Sequence, residues 1–368
     1  MPDATQTGYT KSTLHTLAPY VGKLRPNVAY KLITEFSKKG EVVFDPFCGS
    51  GTVALEAWLN NRMPLATDLN YYAYIVTLGK LNPIKSHTEA TTKLLQYCSW
   101  VEKGDAIELG VAPQWVQMFF NPITLQEIQR WVHVLKTNEE WFFLACLMGI
   151  LHHQRPGFLS YPSSHGAPYL RLQKFPKDKY PELYEYRNVG TRMQKKVDRI
   201  YKQQQTLDFS IPSVVHYCNT LELSAFPQGN ITIITSPPYM RSLTYARDNR
   251  LRLWFLGVTD WVGLDKEISM EKNEFLDLMS KCFQKWNTIQ EIGMYCVLIV
   301  GDIVWDKKSQ LRLPQAICDV AVKHGYSLEE MRDYPTNLAR KVVKKASQIN
   351  TEKICILKRG NNDEKDRS

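Results

Sequence analysis

The run Ile231-Thr232-Ile233-Ile234-Thr235-Ser236-Pro237-Pro238-Tyr239 constrains the fold more than any other stretch of the chain. A short β-branched run of this kind suits a strand covered on both faces, as in a parallel sheet. The two prolines end it, because neither can donate a ladder hydrogen bond. Each also biases the residue before it toward extended backbone. Ser236 and Pro237 are therefore expected to project past the strand end and offer a pair of acceptors to an amino group. Tyr239 would be ready to stack on a planar ring. A strand followed by a rigid turn, with no further role, is the plainer reading of the same residues.

A second stretch carries a complementary signal. Glu41 to Asp45 reads as a short strand and runs into Asp45-Pro46-Phe47-Cys48-Gly49-Ser50-Gly51-Thr52. Gly49 and Gly51 flank Ser50 at a strand-to-helix turn, where the backbone can approach a ligand closely. A helix from Val53 to Asn60 should follow, capped by Thr52, and then a strand from Pro64 to Asp68. Asp68 lies about 20 residues after the glycine turn and is placed to accept ribose hydroxyls. No Gly-Lys-Ser/Thr follows, which argues against a P-loop, and a full Gly-x-Gly-x-x-Gly is absent. A ribose-bearing ligand without a pyrophosphate fits better than a nicotinamide cofactor.

The 368 residues suffice for one large core with insertions or for two domains. The formal charge of +9 leans toward a polyanionic partner. Eight cysteines are scattered without a Cys-x-x-Cys pair, which disfavours a disulfide scaffold or zinc ribbon and favours a reducing compartment. The most apolar stretch, Trp141 to Leu151, is too short to span a bilayer, and the polar N-terminus lacks a signal-peptide core. A cytoplasmic protein with no membrane partner is expected.

Elsewhere a helix runs from Pro26 toward Phe36, closed by Lys38-Lys39-Gly40. Between Asn82 and Gln205 the chain changes character. Leu125–Val134 and Trp141–His153 read as helices, and Gly157 to Tyr169 as a long loop. His152 and His153 have no Cys or Asp cluster beside them, so no metal site is expected. Tyr169 to Lys202 holds ten Lys/Arg against four Asp/Glu, interleaved with six aromatics, and so supplies +6 of the +9. Arg171, Lys174, Lys195, Lys196 and Arg199 are its candidate nucleic-acid contacts. A solvated helical face is the alternative for Met193 to Lys202. Strands at Ser213–Cys218, Tyr295–Val300, Tyr326–Arg332 and Thr351–Leu357 bring the total to seven, with helices between most of them and one at Pro314–Val322. Arg241 and Arg247, among four arginines just past the double proline, adjoin the proposed base site. The residues after Lys358 are charged and expected to be disordered. This pattern is an open α/β sheet whose ligands sit beyond the carboxyl ends of its strands.

Together, Asp45-Pro46-Phe47-Cys48-Gly49-Ser50-Gly51-Thr52 and Thr235-Ser236-Pro237-Pro238-Tyr239 resemble the motifs of the S-adenosylmethionine-dependent DNA amino-methyltransferases. The Ser-Pro-Pro-Tyr form is similar to the branch that methylates cytosine N4. Pro19-Tyr20-Val21-Gly22-Lys23 resembles the segment that closes over the methionine end of the cofactor, although the family often has Pro-Ala where Val21-Gly22 stand. The resemblance implies a Rossmann-like class I methyltransferase sheet of seven strands, the last antiparallel, with a large insertion for DNA recognition. It divides the chain into a cofactor-binding part (13–82), an inserted region (83–210), a catalytic part (211–358) and a tail (359–368). It further implies that Tyr20, Lys23, Asp45, Phe47, Gly49, Gly51 and Asp68 hold S-adenosylmethionine, and that Ser236, Pro237, Pro238 and Tyr239 act on a base flipped from double-stranded DNA. Cys48 reads as a small packing residue. No Pro-Cys dipeptide is present, which excludes the usual carbon-5 cytosine mechanism. The expected function is cytosine-N4 methylation in a restriction–modification system, with a nuclease of the same specificity as partner. An adenine-N6 enzyme, an RNA guanine-N2 enzyme and a catalytically silent DNA-binding subunit are the competing readings.

Overall fold

The computed structural model describes residues 9–103, 110–164, 166–203, 207–238, 244–302, 304–306, 311–334 and 352–360. A 3-10 turn at Thr13–Thr16 leads into α1 (Pro26–Phe36), β1 (Val42–Asp45), α2 (Thr52–Leu59), β2 (Met63–Asp68) and α3 (Tyr71–Leu81). A helical stretch follows: α4 (His87–Lys103), α5 (Gln114–Gln117), α6 (Pro122–Thr137), α7 (Trp141–Ile150) and α8 (Val189–Tyr201). The chain then returns through β3 (Val214–Tyr217), β4 (Ile231–Thr235), α9 (Tyr245–Leu256), α10 (Trp261–Ile268), α11 (Lys272–Ile289) and β5 (Tyr295–Gly301). A small pair, β6 (Val304–Asp306) and β7 (Leu311–Arg312), precedes α12 (Leu313–Lys323), β8 (Tyr326–Asp333) and β9 (Glu352–Arg359).

Seven strands form one sheet in the order β3-β2-β1-β4-β5-β9-β8. The first five pair in parallel, whereas β9 runs antiparallel to both β5 and β8. The open α/β sheet and its antiparallel last strand are thus as expected. Because strand side chains alternate, one set packs against α1: Val43, Ile234, Val297, Ile299, Ile354 and Ile356. The other set meets α11 and α12: Phe44, Ile233, Cys296, Leu298, Val300, Cys355 and Leu357. Both faces are dry, which explains why these strands read as continuous apolar runs.

The helical stretch is a further layer rather than a separate body. Side chains of α4, α6, α7 and α8 share one core with α3 and α9. The α3–α7 crossing is close at Gly79, where a Cβ would stand 2.7 Å from Ala145 Cβ and 2.8 Å from the Trp141 carbonyl oxygen. On α8, Val189, Met193, Val197 and Ile200 recur at helical spacing and are all buried. Each such side chain contributes about 1.5–3 kcal/mol of transfer free energy.

Several expectations need correction. Gly51, not Thr52, is the N-cap of α2, and no side chain caps it; Thr52 Oγ1 lies 2.9 Å from Ser50 Oγ instead. Helix α7 stops at Ile150, which leaves His152 and His153 in the following loop. There the His153 ring accepts the Arg155 N–H at 3.0 Å and stacks on Phe158. Arg359, placed in the expected disordered tail, still belongs to β9; the rest of that tail from residue 361 lies outside the described residues, as do the basic residues between 340 and 345.

Candidate active site

β1 and β4 are neighbours, and the sheet order reverses between them: β2 and β3 continue to one side, β5 to the other. A crevice opens beyond the carboxyl ends of strands at such a point. Here it is a cleft of about 940 Å³, counting its solvent-open mouth, lined by Tyr20, Lys23, Asp45, Phe47, Gly49 and Asp68 on one wall. Asp45 ends β1 and is buried; its carboxylate accepts the Thr235 hydroxyl at 2.6 Å and the Phe47 N–H at 3.3 Å. Burial pushes its pKa up to about 7 against those two hydrogen bonds, with Asp68 adding to the rise. Asp68 ends β2 and is partly open to the cleft. Its two oxygens accept the Gly49 N–H at 2.7 Å and the Asn70 N–H at 2.8 Å. Desolvation again dominates and raises it to about 6.

The two glycines serve different ends. Gly49 (φ +48°) lies under the Tyr20 ring, and a Cβ there would stand 3.2 Å from it. Gly51 (φ +66°) faces away from the ligand side: its Cβ would fall 2.5 Å from Thr77 Oγ1 on α3. Gly51 is thus a packing residue, not a lining one. Cys48 is buried with Sγ 3.4 Å from the same Thr77 hydroxyl, and it also lines the cleft. The fully buried Lys80 of α3 donates to the Ser50 carbonyl and braces the turn from behind. Tyr20 stacks on Tyr72, whose hydroxyl donates to the Pro19 carbonyl at 2.6 Å. Lys23 donates to the His15 carbonyl.

Ser236 and Pro238 line the same cleft from the end of β4, and Pro237 is buried beside them. Tyr239 and Arg241 lie outside the described residues. Sequence reading missed three further parts of the wall. Asn219 and Thr220 follow β3, and the Thr220 hydroxyl is buried with no hydrogen-bond partner among the described residues. Tyr245 opens α9, and Glu267 to Met270 close the cleft from the end of α10. The Asp265 carboxylate accepts the N–H groups of Ala246 at 2.7 Å and Arg247 at 2.9 Å, and so anchors the first turn of α9. A carboxylate on another helix leaves no local sequence signature, whereas the position after the third strand could have been searched.

The candidate nucleic-acid contacts divide. Lys174, Lys195, Arg199 and Arg247 are exposed, and Arg171 is half-buried against Gln154. Lys196 does not share that exposed face: it is 6 % exposed and its ammonium donates to the Thr16 carbonyl at 2.7 Å. Helical periodicity turns it inward beside Val197 and Met193 while Lys195 faces out. Of the four arginines after the double proline, Arg252 also turns in, onto the Tyr72 ring and the Met148 carbonyl.

A family model described as DNA methylase, of the N6/N4 group, matches residues 8–77. Over 64 residues the chain is 42 % identical to the orphan methyltransferase M.BamHII of Bacillus amyloliquefaciens, a match covering 17 % of this chain. The chain spans about a quarter of the length of that curated relative, 24 %. Among solved structures, the rRNA methyltransferase aviRa from Streptomyces viridochromogenes aligns over 94 % of this chain and 91 % of its own, with a TM-score of 0.35 and 10 % identity. The matched residues 8–77 contain the Tyr20 segment, the glycine turn and Asp68. On that match the resemblance to the S-adenosylmethionine-dependent DNA amino-methyltransferases is borne out.

Proposed function

We propose that the protein transfers a methyl group from S-adenosylmethionine to the N4 amine of cytosine in duplex DNA. The observation that carries this reading is the meeting of the two motifs: Ser236 and Pro238 line one cleft with Asp45, Gly49 and Asp68. The cleft's chemistry suits the cofactor. Asp45 and Asp68 are carboxyls raised by burial, and a cationic ligand offsets that burial; the orphan Thr220 hydroxyl is free to meet a polar edge. Asp68 meets the ribose hydroxyls, Asp45 and the Phe47–Gly49 backbone lie along the methionine end, and Tyr20 covers it.

When bound, the cofactor supplies an electrophilic methyl group on a positively charged sulfur. The chain's task is to aim a poor nucleophile, because the amino lone pair of cytosine is delocalised into its ring. Ser236 Oγ and the Pro237 carbonyl would accept hydrogen bonds from the two amino N–H groups and favour a pyramidal nitrogen, one of whose protons passes to water as the N–C bond replaces the S–C bond. Pro237 and Pro238 fix the backbone that carries these acceptors. Tyr239 stacks on the base after it leaves the duplex. Lys195, Arg199, Lys174 and Arg247 meet the backbone phosphates. The setting that suits such chemistry is a cytoplasmic restriction–modification system, with a nuclease reading the same site.

The test is transfer of labelled methyl to duplex DNA followed by mass spectrometry of the nucleosides. N4-methylcytosine is expected. N6-methyladenine alone would move the enzyme to the adenine branch, and label in RNA but not DNA would overturn the substrate.

A further inference from the structure

A second cavity lies behind Tyr20, between the N-terminal turn and α8, and its charged lining is all of one sign. Lys11, His15, Thr16, Lys23, Lys196 and Arg199 face it, and no Asp or Glu lines it. Lys196 is the informative member. It is 6 % exposed, and among the described residues no carboxylate pairs with it; its hydrogen bond goes to the neutral Thr16 carbonyl. Burying an ammonium without a counter-charge is costly, and desolvation lowers its pKa to about 8. His15 is fully buried, with Nε2 2.6 Å from Glu56 Oε1 and Nδ1 without a partner among the described residues. Glu56, raised to about 7 by burial, also accepts the Tyr9 hydroxyl at 2.7 Å.

We infer that this cavity is a phosphate-binding site, filled by one diester of the nucleic-acid substrate. Four cationic side chains, Lys11, Lys23, Lys196 and Arg199, match an anion with several acceptor oxygens. Arg199 is exposed at the mouth, next to the exposed Lys195, so the cavity continues the basic face of α8. Tyr20 and Lys23 are shared with the cofactor cleft, which sets the bound phosphate beside the reaction rather than at a distant surface. The choice of a DNA diester rests on the proposed substrate; the anion chemistry does not.

The test uses the full chain and two probes. Calorimetry with inorganic phosphate should show one site in the wild type that S-adenosylmethionine does not displace. Lys196→Met should weaken it about tenfold or more. Lys11→Ala and Arg199→Ala, both exposed positions, should weaken it in the same direction without touching the core. In the second arm a single methylphosphonate is moved along a duplex. One linkage should weaken binding to the wild type but not to Arg199→Ala. No phosphate binding by the wild type would overturn the site, and displacement by the cofactor would make the cavity an annex of its cleft. Phosphate binding with no sensitive linkage would overturn the diester and leave free phosphate as the ligand. A protein that binds phosphate yet methylates no DNA would count against the proposed function and leave the anion site standing.

Discussion

Gly49 and Gly51 sit two residues apart with positive φ, yet a methyl group at each would meet different things. At Gly51 it would strike Thr77 on the buried side of α3, 2.5 Å from the hydroxyl, where nothing can yield cheaply. Gly51→Ala should cost about 1–3 kcal/mol in denaturant unfolding, from overpacking added to left-handed strain. At Gly49 the obstacle is the Tyr20 ring at 3.2 Å, which can swing away. Gly49→Ala should therefore lose less stability but weaken cofactor binding, at least tenfold or about 1.4 kcal/mol. Equal effects of the two changes on stability and on affinity would refute this division. Asp68→Ala should also weaken cofactor binding at least tenfold, since it removes the proposed ribose acceptor and the hold on the Gly49 N–H. Unchanged affinity in a folded variant would sink that role. Ser236→Ala addresses the reaction itself. It leaves the strand and both prolines in place, so turnover should fall by roughly ten- to a thousandfold while DNA binding changes little. A loss confined to DNA affinity would make Ser236 a binding residue instead.

At the scale of elements, α8 shows how far a sequence pattern reaches. Its charges are visible in the sequence, but three neighbouring cations do not share a face. Lys195 and Arg199 point outward and Lys196 inward. Neutralising Lys195 and Arg199 should flatten the salt dependence of DNA affinity by a slope of up to about 2, and an unchanged slope would make them merely solubilising. The inner strands β1, β4, β5 and β9 were legible because each has a buried apolar centre, whereas the edge strands β3 and β8 are only partly buried and β8 exposes Ser327, Glu329 and Glu330. Burial on two sides hid α3. Tyr72, Ala73, Ile75, Val76, Thr77, Gly79, Lys80 and Leu81 are all buried between sheet and helical layer, so no polar stripe marks a helical period. Helix α11 did carry a signal: a Glu271–Glu274 capping box opens it, and Phe275, Met279, Phe283 and Trp286 follow at helical spacing. The cleft wall from β1 and β2, proposed to hold the cofactor, was readable as a local motif. The walls from Thr220, Tyr245 and Glu267 depend on three distant segments meeting, and no local pattern records that meeting.

For the molecule as a whole, the site leaves a mark on how stability depends on pH. Burial raises three carboxyls in the native state: Asp45 to about 7, Asp68 to about 6 and Glu56 to about 7, from ordinary values of 3.8, 3.8 and 4.5. Between pH 5 and 7 the folded protein therefore holds protons that the unfolded chain has released. Stability falls with rising pH wherever the native state binds more protons. His15 acts the other way. Burial and the nearby Lys80, Lys23 and Lys11 hold its pKa well below 6.5, so unfolding lets it take up a proton in the lower part of that window. The fully buried Lys80, also held well below its ordinary value by burial, acts in the same sense as His15. Three carboxyls against these two groups leave the native state with the excess, and the melting temperature of the free protein should decline from pH 5 toward pH 7. Bound S-adenosylmethionine should change this, because its positive charge favours the ionised forms of Asp45 and Asp68. The rise in melting temperature that the cofactor produces should then grow across the same window and level off above pH 7. Scanning calorimetry from pH 5 to 8, with and without cofactor, measures both trends. The Asp45→Asn variant should lose part of each, since its amide cannot titrate. A free protein that becomes steadily more stable from pH 5 to 7, or a cofactor increment independent of pH, would show that these carboxyls are already ionised in the fold and that the cleft does not hold its charge in reserve for a cationic ligand.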